Sequence, residues 1–262
     1  MCDLPENEAA QEKTGRIYLL DELRGFAVFC MIFYHAFYTI GFLFGNEAGV
    51  YYFWFFMPAE PYFAGLFMFI SGIACNLSHS NLSRGLKLLA VAMGVTLVTG
   101  IFLPRDIITF GILHFLAVCM ILAGLLKPVF ERHSFSIWPV LVCAMLFLFT
   151  MNVQNGYLGS GYPLVLELPK QLYVNNWLAP LGIHNPFFLS ADYFPIIPWI
   201  FVYAAGIFTG RLAKAGKFPG IMYRSQVPQL SWLGRHALLL YLIHQPVIYG
   251  GCLLLSYMHI LG

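Results

Sequence analysis

The chain has 262 residues, of which 60% are hydrophobic and only 10% charged, with a formal net charge of +2 and a mean hydropathy of +0.74. Soluble domains carry about 25% charged residues, so this composition excludes a soluble globular protein and indicates an integral membrane protein. A net charge so close to zero gives no electrostatic footprint for nucleic acid.

Residues 1–17 are polar and of mixed charge, with none of the apolar stretch of a cleavable signal peptide. They read as a cytoplasmic tail ahead of a single transmembrane domain, residues 18–262. Apolar runs of about twenty residues, the length that crosses a bilayer, fall at 18–40, 61–79, 86–104, 107–126, 136–152, 194–210 and 232–258. They predict an all-α fold, a polytopic membrane helix bundle of about seven transmembrane helices. The run VYYFWFFM at 50–57 is too short to span and reads as an aromatic interfacial segment. The longest external connection, 153–193, is rich in Gly, Pro, Asn and Tyr. Loops of this length are usually functional or partly folded, and PLVLEL within it is a candidate re-entrant or interfacial piece.

Of the fourteen Lys and Arg residues, all but Arg105 and Lys170 fall on one side of this seven-span arrangement. The positive-inside rule then puts the N-terminus in the cytoplasm and the C-terminus outside, as in a multi-pass protein of the cell membrane. The six cysteines (Cys2, Cys30, Cys75, Cys119, Cys143 and Cys252) show no CxxC or other metal spacing. Five lie in apolar segments, as small core residues do, so no metal site is expected.

The first helix carries the most informative polar pattern. Eleven residues at about 100° each bring Arg24 and His35 to one face, about 16 Å apart along the axis. Asp21 lies one turn before Arg24. Ionisable groups at membrane depth usually face a cavity or the bundle interior. A satisfied helix–helix hydrogen bond for the histidine and a snorkelling arginine are the competing structural reading. On the external side, Arg105 and Asp106 precede the fourth helix, His114 lies about 10 Å further in, and Asp192 precedes the sixth. With His35 they could converge on one pocket, where a carboxylate would fix a histidine tautomer and raise its basicity. Arg105–Asp106 reads equally well as an ordinary pair at a helix start. On the cytoplasmic side Arg84, Lys87, Lys127, Arg211, Lys214, Lys217 and Arg235 cluster at helix ends. They suit the phosphates of an anionic cofactor, or simply topology and anionic lipid. His244 and Gln245 sit mid-span before Pro246, where His244 lines a cavity or caps the break that proline makes. Tyr51, Tyr52, Trp54, Tyr193 and Trp199 suit sugar stacking and an interfacial belt equally. There is no Walker loop, GxSxG or HExxH.

LDELRGFAVFCMIFYH, with Arg24 and His35, resembles the first-helix motif of the transmembrane acyltransferase superfamily. More specifically, the chain resembles the bacterial branch of the heparan-α-glucosaminide N-acetyltransferase catalytic-domain family. The resemblance extends through LFMFISGIACNLSHSNLSRG (66–85), FGILHFLAV (110–118), SADYFPIIPWIFVYAAGIFTG (190–210) and LGRHALLLYLIHQPV (233–247), in family order. It implies transfer of an acyl group from cytoplasmic acyl-CoA, here acetyl-CoA, to a carbohydrate or other cell-envelope acceptor on the far side. It also implies a catalytic role for His35 and a place for Arg24 at the acyl-CoA entrance. The superfamily commonly has ten or more helices, so this chain is either a minimal core or works with a second subunit, such as another copy of itself in a homo-oligomer.

The expected enzyme is therefore an acyl-CoA-dependent membrane acetyltransferase. His35, His114 and Asp192 are the catalytic candidates, with either histidine as the base and attack either direct or through an acyl-histidine. Arg24, Arg84, Lys87, Arg211 and Arg235 are expected to bind cofactor, and Arg105, Asp106, Tyr193 and Trp199 the acceptor. The bilayer is a further partner, and nucleic acid is not. A transporter or export partner with a His/Asp proton relay, or a non-catalytic protein of the same fold, is the alternative.

Overall fold

The computed structural model describes residues 15–132, 134–161 and 164–258. Most of the expected cytoplasmic tail, residues 1–14 with Cys2 and Lys13, lies outside the described residues. Six helical stretches are long and apolar enough to cross a membrane: Tyr18–Leu43, Glu47–Cys75, Asn81–Phe102, Ile137–Asn155, Ile196–Lys214 and Ala237–Tyr257. The chain is a polytopic all-α membrane protein, as its apolar runs predict. The run at 107–126 is helical only over Ile112–Leu125. Its fourteen residues rise about 21 Å, less than the roughly 30 Å hydrocarbon core.

The chain divides into two compact units, residues 1–70 with 216–262 and residues 71–215. In the first, α1 (Tyr18–Tyr38) runs into a π-helical turn, Thr39–Leu43. Next comes α2 (Glu47–Phe56), whose N-terminus is capped by the Asn46 side chain accepting from the Gly49 N–H at 3.1 Å. The aromatic run at 50–57 is not a separate interfacial piece. It lies largely in α2 and continues through a 3₁₀ turn, Met57–Ala59, into α3 (Glu60–Cys75). Pro58 and Pro61 each sit at the start of a helical segment, where a missing N–H costs little. The division between units falls within α3.

The first unit is completed by α9 (Pro228–Arg235) and α10 (Ala237–Tyr257). Helices α1 and α9 cross at glycine contact. A Cβ on Gly25 would lie 1.9 Å from the Leu230 carbonyl oxygen, and one on Gly234 would lie 1.8 Å from that of Asp21. Small residues let membrane helices approach this closely. The crossing is pinned by Glu22, 4% exposed. Its Oε1 accepts from Ser225 Oγ and the Gln226 N–H at 2.8 Å and from the Val227 N–H at 2.9 Å, just before α9 begins. A carboxylate at a helix N-terminus meets its unpaired donors and its positive dipole end.

The second unit holds α4 (Asn81–Phe102), α5 (Ile112–Leu125), the short α6 (Lys127–Glu131), α7 (Ile137–Thr150) and α8 (Ile196–Lys214). The end of α3 packs on α8 at Gly72, where a Cβ would lie 2.1 Å from the Tyr203 carbonyl oxygen. The connection at 153–193 contains no re-entrant helix among the described residues. PLVLEL instead supplies β2 (Leu164–Glu167), antiparallel to β1 (Tyr157–Gly161). A bulge between Leu158 and Gly161 is accommodated by Gly159 at φ 98°, a conformation that side chains resist.

A histidine pair and a capped helix as candidate sites

The first unit brings His35 of α1 against α10. Thr39 follows His35 by four residues, one helical turn along the same face, and the π turn begins there. Thr39 is 1% exposed, and its hydroxyl donates to Gln245 Oε1 at 3.3 Å. The same amide's Nε2 donates to His35 Nδ1 at 3.3 Å. The His244 ring lies beside that of His35, with centroids 5.0 Å apart and planes at 52°. His244 Nδ1 donates to the Tyr241 carbonyl at 2.7 Å. Its Nε2 is buried and has no hydrogen-bond partner among the described residues. Pro246, next along α10, has no N–H for the Leu242 carbonyl. Polar groups from two membrane helices are thus gathered at a π turn and a proline, two features common at functional sites.

At the N-terminal end of α1, Asp21 accepts from Arg16 Nε at 2.6 Å and lies 3.6 Å from Arg24 Nη1. This carboxylate raises the Arg16 pKa further. Arg24 is thus part of a group of two arginines around one carboxylate.

The expected external pocket divides between the units. His35 belongs to the first, whereas Arg105, Asp106, His114, Asp192, Tyr193 and Trp199 belong to the second. There, His114 is tied at both nitrogens. The Gly111 N–H donates to its Nδ1 at 3.2 Å, so a neutral ring carries its proton on Nε2, 3.1 Å from Thr96 Oγ1. That hydroxyl donates onward to the Ile108 carbonyl at 2.6 Å. His114 is 3% exposed and serves as the side-chain cap of α5, taking one of the donors that every helix N-terminus leaves over. Asp192 takes the next, accepting from the Ile112 N–H at 3.0 Å. The chain is held at this point by a parallel bridge between Phe110 and Tyr193, which also explains why the helix starts only at Ile112.

Two of the expected acceptor residues, Tyr193 and Trp199, have structural partners. The Tyr193 hydroxyl donates to the Ala179 carbonyl at 2.7 Å, and burial raises its pKa. Trp199 packs against Phe147 and Phe194, with ring centroids 5.5 and 5.6 Å away. Arg105 is exposed on a 3₁₀ turn that ends at Asp106. Among the expected cofactor ligands, Arg84, Lys87 and Arg235 are exposed and Arg211 is partly buried; Arg84 donates to Ser78 Oγ at 3.0 Å. In the second unit Lys127 and Lys214, with Asn76 and Asn81, line a small open recess. No three His, Cys, Asp or Glu side chains among the described residues come together as a metal site would require.

Neither Thr39 nor Gln245 is an expected site residue, and for His244 the sequence leaves open lining a cavity or capping the helix break. The signal for Thr39 is its spacing of four from His35. For His244 and Gln245 it is a polar pair inside an apolar run, in front of a proline. The family description "Heparan-alpha-glucosaminide N-acetyltransferase, catalytic" matches residues 16–246. No curated protein and no solved structure matches the chain.

Proposed function

Because the chain belongs to the heparan-alpha-glucosaminide N-acetyltransferase catalytic family, a family of membrane acetyltransferases, we propose that it moves an acetyl group from cytoplasmic acetyl-CoA to a hydroxyl or amine on a sugar or other cell-envelope acceptor at the external side. The observation that carries this reading is the histidine pair of the first unit. His35 and His244 lie side by side within membrane-spanning helices, and the His244 Nε2 is buried without a protein partner. Buried polar atoms in native proteins are normally paired, and a catalytic role is one of the reasons an atom stays unpaired. An imidazole at a reacting carbonyl can take a proton or donate a hydrogen bond to developing charge.

His35 is the residue we place at the acyl carbonyl. His114 and Asp192 belong to the frame: the bonds at both His114 nitrogens leave no lone pair for an acceptor proton, and Asp192 caps the same helix. Arg24, Arg84, Lys87, Arg211 and Arg235 are suited to the phosphates of CoA, because guanidinium and ammonium groups at helix ends bind phosphate without needing a deep pocket. Within the second unit, the cations and amides of the recess are donors of the same kind. With the short α5 counted as a seventh span, the Lys and Arg residues concentrate on one side, which supports a cytoplasmic donor side.

The test is direct. Purified protein in detergent is given radiolabelled acetyl-CoA and glucosamine, and the reading requires protein-dependent formation of N-acetylglucosamine or, without acceptor, release of acetate. Acetyl-CoA that stays intact under both conditions would remove it.

A further inference from the structure

The hydrogen bonds of the histidine pair divide its two rings into different roles. A carbonyl oxygen only accepts, so the bond to Tyr241 puts a proton on His244 Nδ1. In the neutral ring, Nε2 is then a bare lone pair. It is buried, and no donor among the described residues reaches it. A buried acceptor without a donor has lost its hydration and gained nothing in return. His35 is the complement. An amide nitrogen only donates, so in this orientation of Gln245 the His35 Nδ1 is the acceptor and its Nε2 carries the proton. Gln245 is held in turn by Thr39. One ring therefore presents a lone pair and its neighbour, 5.0 Å away, an N–H.

We propose that His244 is the catalytic base of the acetyl transfer and that His35 Nε2–H is the donor that steadies the oxyanion, with Gln245 and Thr39 as positioning residues that set the His35 tautomer. The proposal rests on the acyltransferase reading above. The acceptor's O–H or N–H gives its proton to His244 Nε2, and the freed electron pair forms the bond to the acetyl carbon. The carbonyl π pair moves onto oxygen, where the His35 N–H meets it. When the tetrahedral species collapses, the C–S bond breaks with its electron pair on the CoA sulfur. That thiolate takes the proton from the His244 imidazolium, so the enzyme returns to its starting state with no other reactant. Positioned donors and bases of this kind are each worth about 10²–10⁴ in rate.

The experiment follows radiolabelled acetyl-CoA turnover, to glucosamine or water, alongside the acetyl-CoA dissociation constant of each purified variant. In His244→Asn the amide N–H replaces Nδ1–H toward Tyr241 and the basic nitrogen is lost. The expected result is at least a hundredfold fall in kcat with acetyl-CoA affinity within threefold of wild type. His244→Gly should regain at least tenfold when imidazole is added, a rescue that a purely structural histidine would not show. Gln245→Glu turns the donor into an acceptor and forces the proton of His35 onto Nδ1; it should lower kcat without weakening acetyl-CoA binding. It decides the matter if the His244 variants fail to fold. Turnover within threefold of wild type in His244→Asn, or in Gln245→Glu where that variant decides, overturns the proposal and leaves the acyltransferase reading standing. If wild-type protein neither transfers nor hydrolyses acetyl groups, the acyltransferase reading itself falls, and the role of His244 with it.

Discussion

Replacing Glu22 with alanine tests what holds the α1–α9 crossing together. Three donors converge on Glu22 Oε1, two at 2.8 Å and one at 2.9 Å. Hydrogen bonds to a charged group contribute about 1.5–3 kcal/mol each, so simple addition gives at least about 4.5 kcal/mol. Two corrections reduce it. Ser225, Gln226 and Val227 are exposed, so water replaces the carboxylate at some of the freed donors. Removing a buried charge also recovers part of its desolvation cost. A net loss of about 2–4 kcal/mol remains. At roughly 2–4 °C per kcal/mol for a protein of this size, the melting temperature in detergent, followed by tryptophan fluorescence, falls by about 5–15 °C. Glu22→Gln keeps an acceptor in place without the charge and loses only about 1 kcal/mol. A melting temperature for Glu22→Ala within about 2 °C of wild type would refute this account of the crossing.

Other perturbations separate frame from site. Arg24→Ala weakens acetyl-CoA binding by about ten- to a hundredfold, the worth of a charge-assisted phosphate contact. Because Arg16 still holds Asp21, it costs under about 1 kcal/mol of stability; a destabilised protein with unchanged affinity would show that Arg24 serves the fold. His114→Ala strands the Gly111 N–H and empties a packed site, so it lowers stability by about 2–4 kcal/mol. Turnover per folded molecule nevertheless stays near wild type, and a stable but inactive variant would return His114 to the list of bases. Cysteines placed at positions 214 and 170 are labelled from opposite sides of sealed vesicles, and labelling of both from one side would overturn the assigned topology.

The sequence declares what depends on composition and local spacing. Apolar runs mark the six long membrane helices, because a bilayer demands about twenty such residues whatever packs around them, but the run at 107–126 forms a helix of only fourteen residues. Helical periodicity alone puts Arg24 and His35 on one face. What escaped was set by contacts distant in sequence. Gln245 meets His35 across 210 positions, and no local pattern announces that meeting. In sequence His114 reads as a buried base, and its bond from Gly111 three residues earlier, which caps α5, is not legible there. Asp192 reads as its orienting carboxylate, and its bond from the Ile112 N–H is equally hidden. PLVLEL is apolar enough to suggest a membrane piece. The GSG just before it allows the bulge of a hairpin instead, which periodicity over so short a run does not distinguish.

The central claim is acetyl transfer across the membrane through the His35 centre, and one measurement addresses it most directly. Purified protein is reconstituted into sealed vesicles with glucosamine trapped inside, radiolabelled acetyl-CoA is supplied outside, and the vesicles are washed and opened. Molecules whose cytoplasmic side faces outward should deliver labelled N-acetylglucosamine to the lumen. His35→Ala vesicles, still binding acetyl-CoA, should deliver at least a hundredfold less. A lumen without labelled product, or equal labelling by wild type and His35→Ala, would contradict the account.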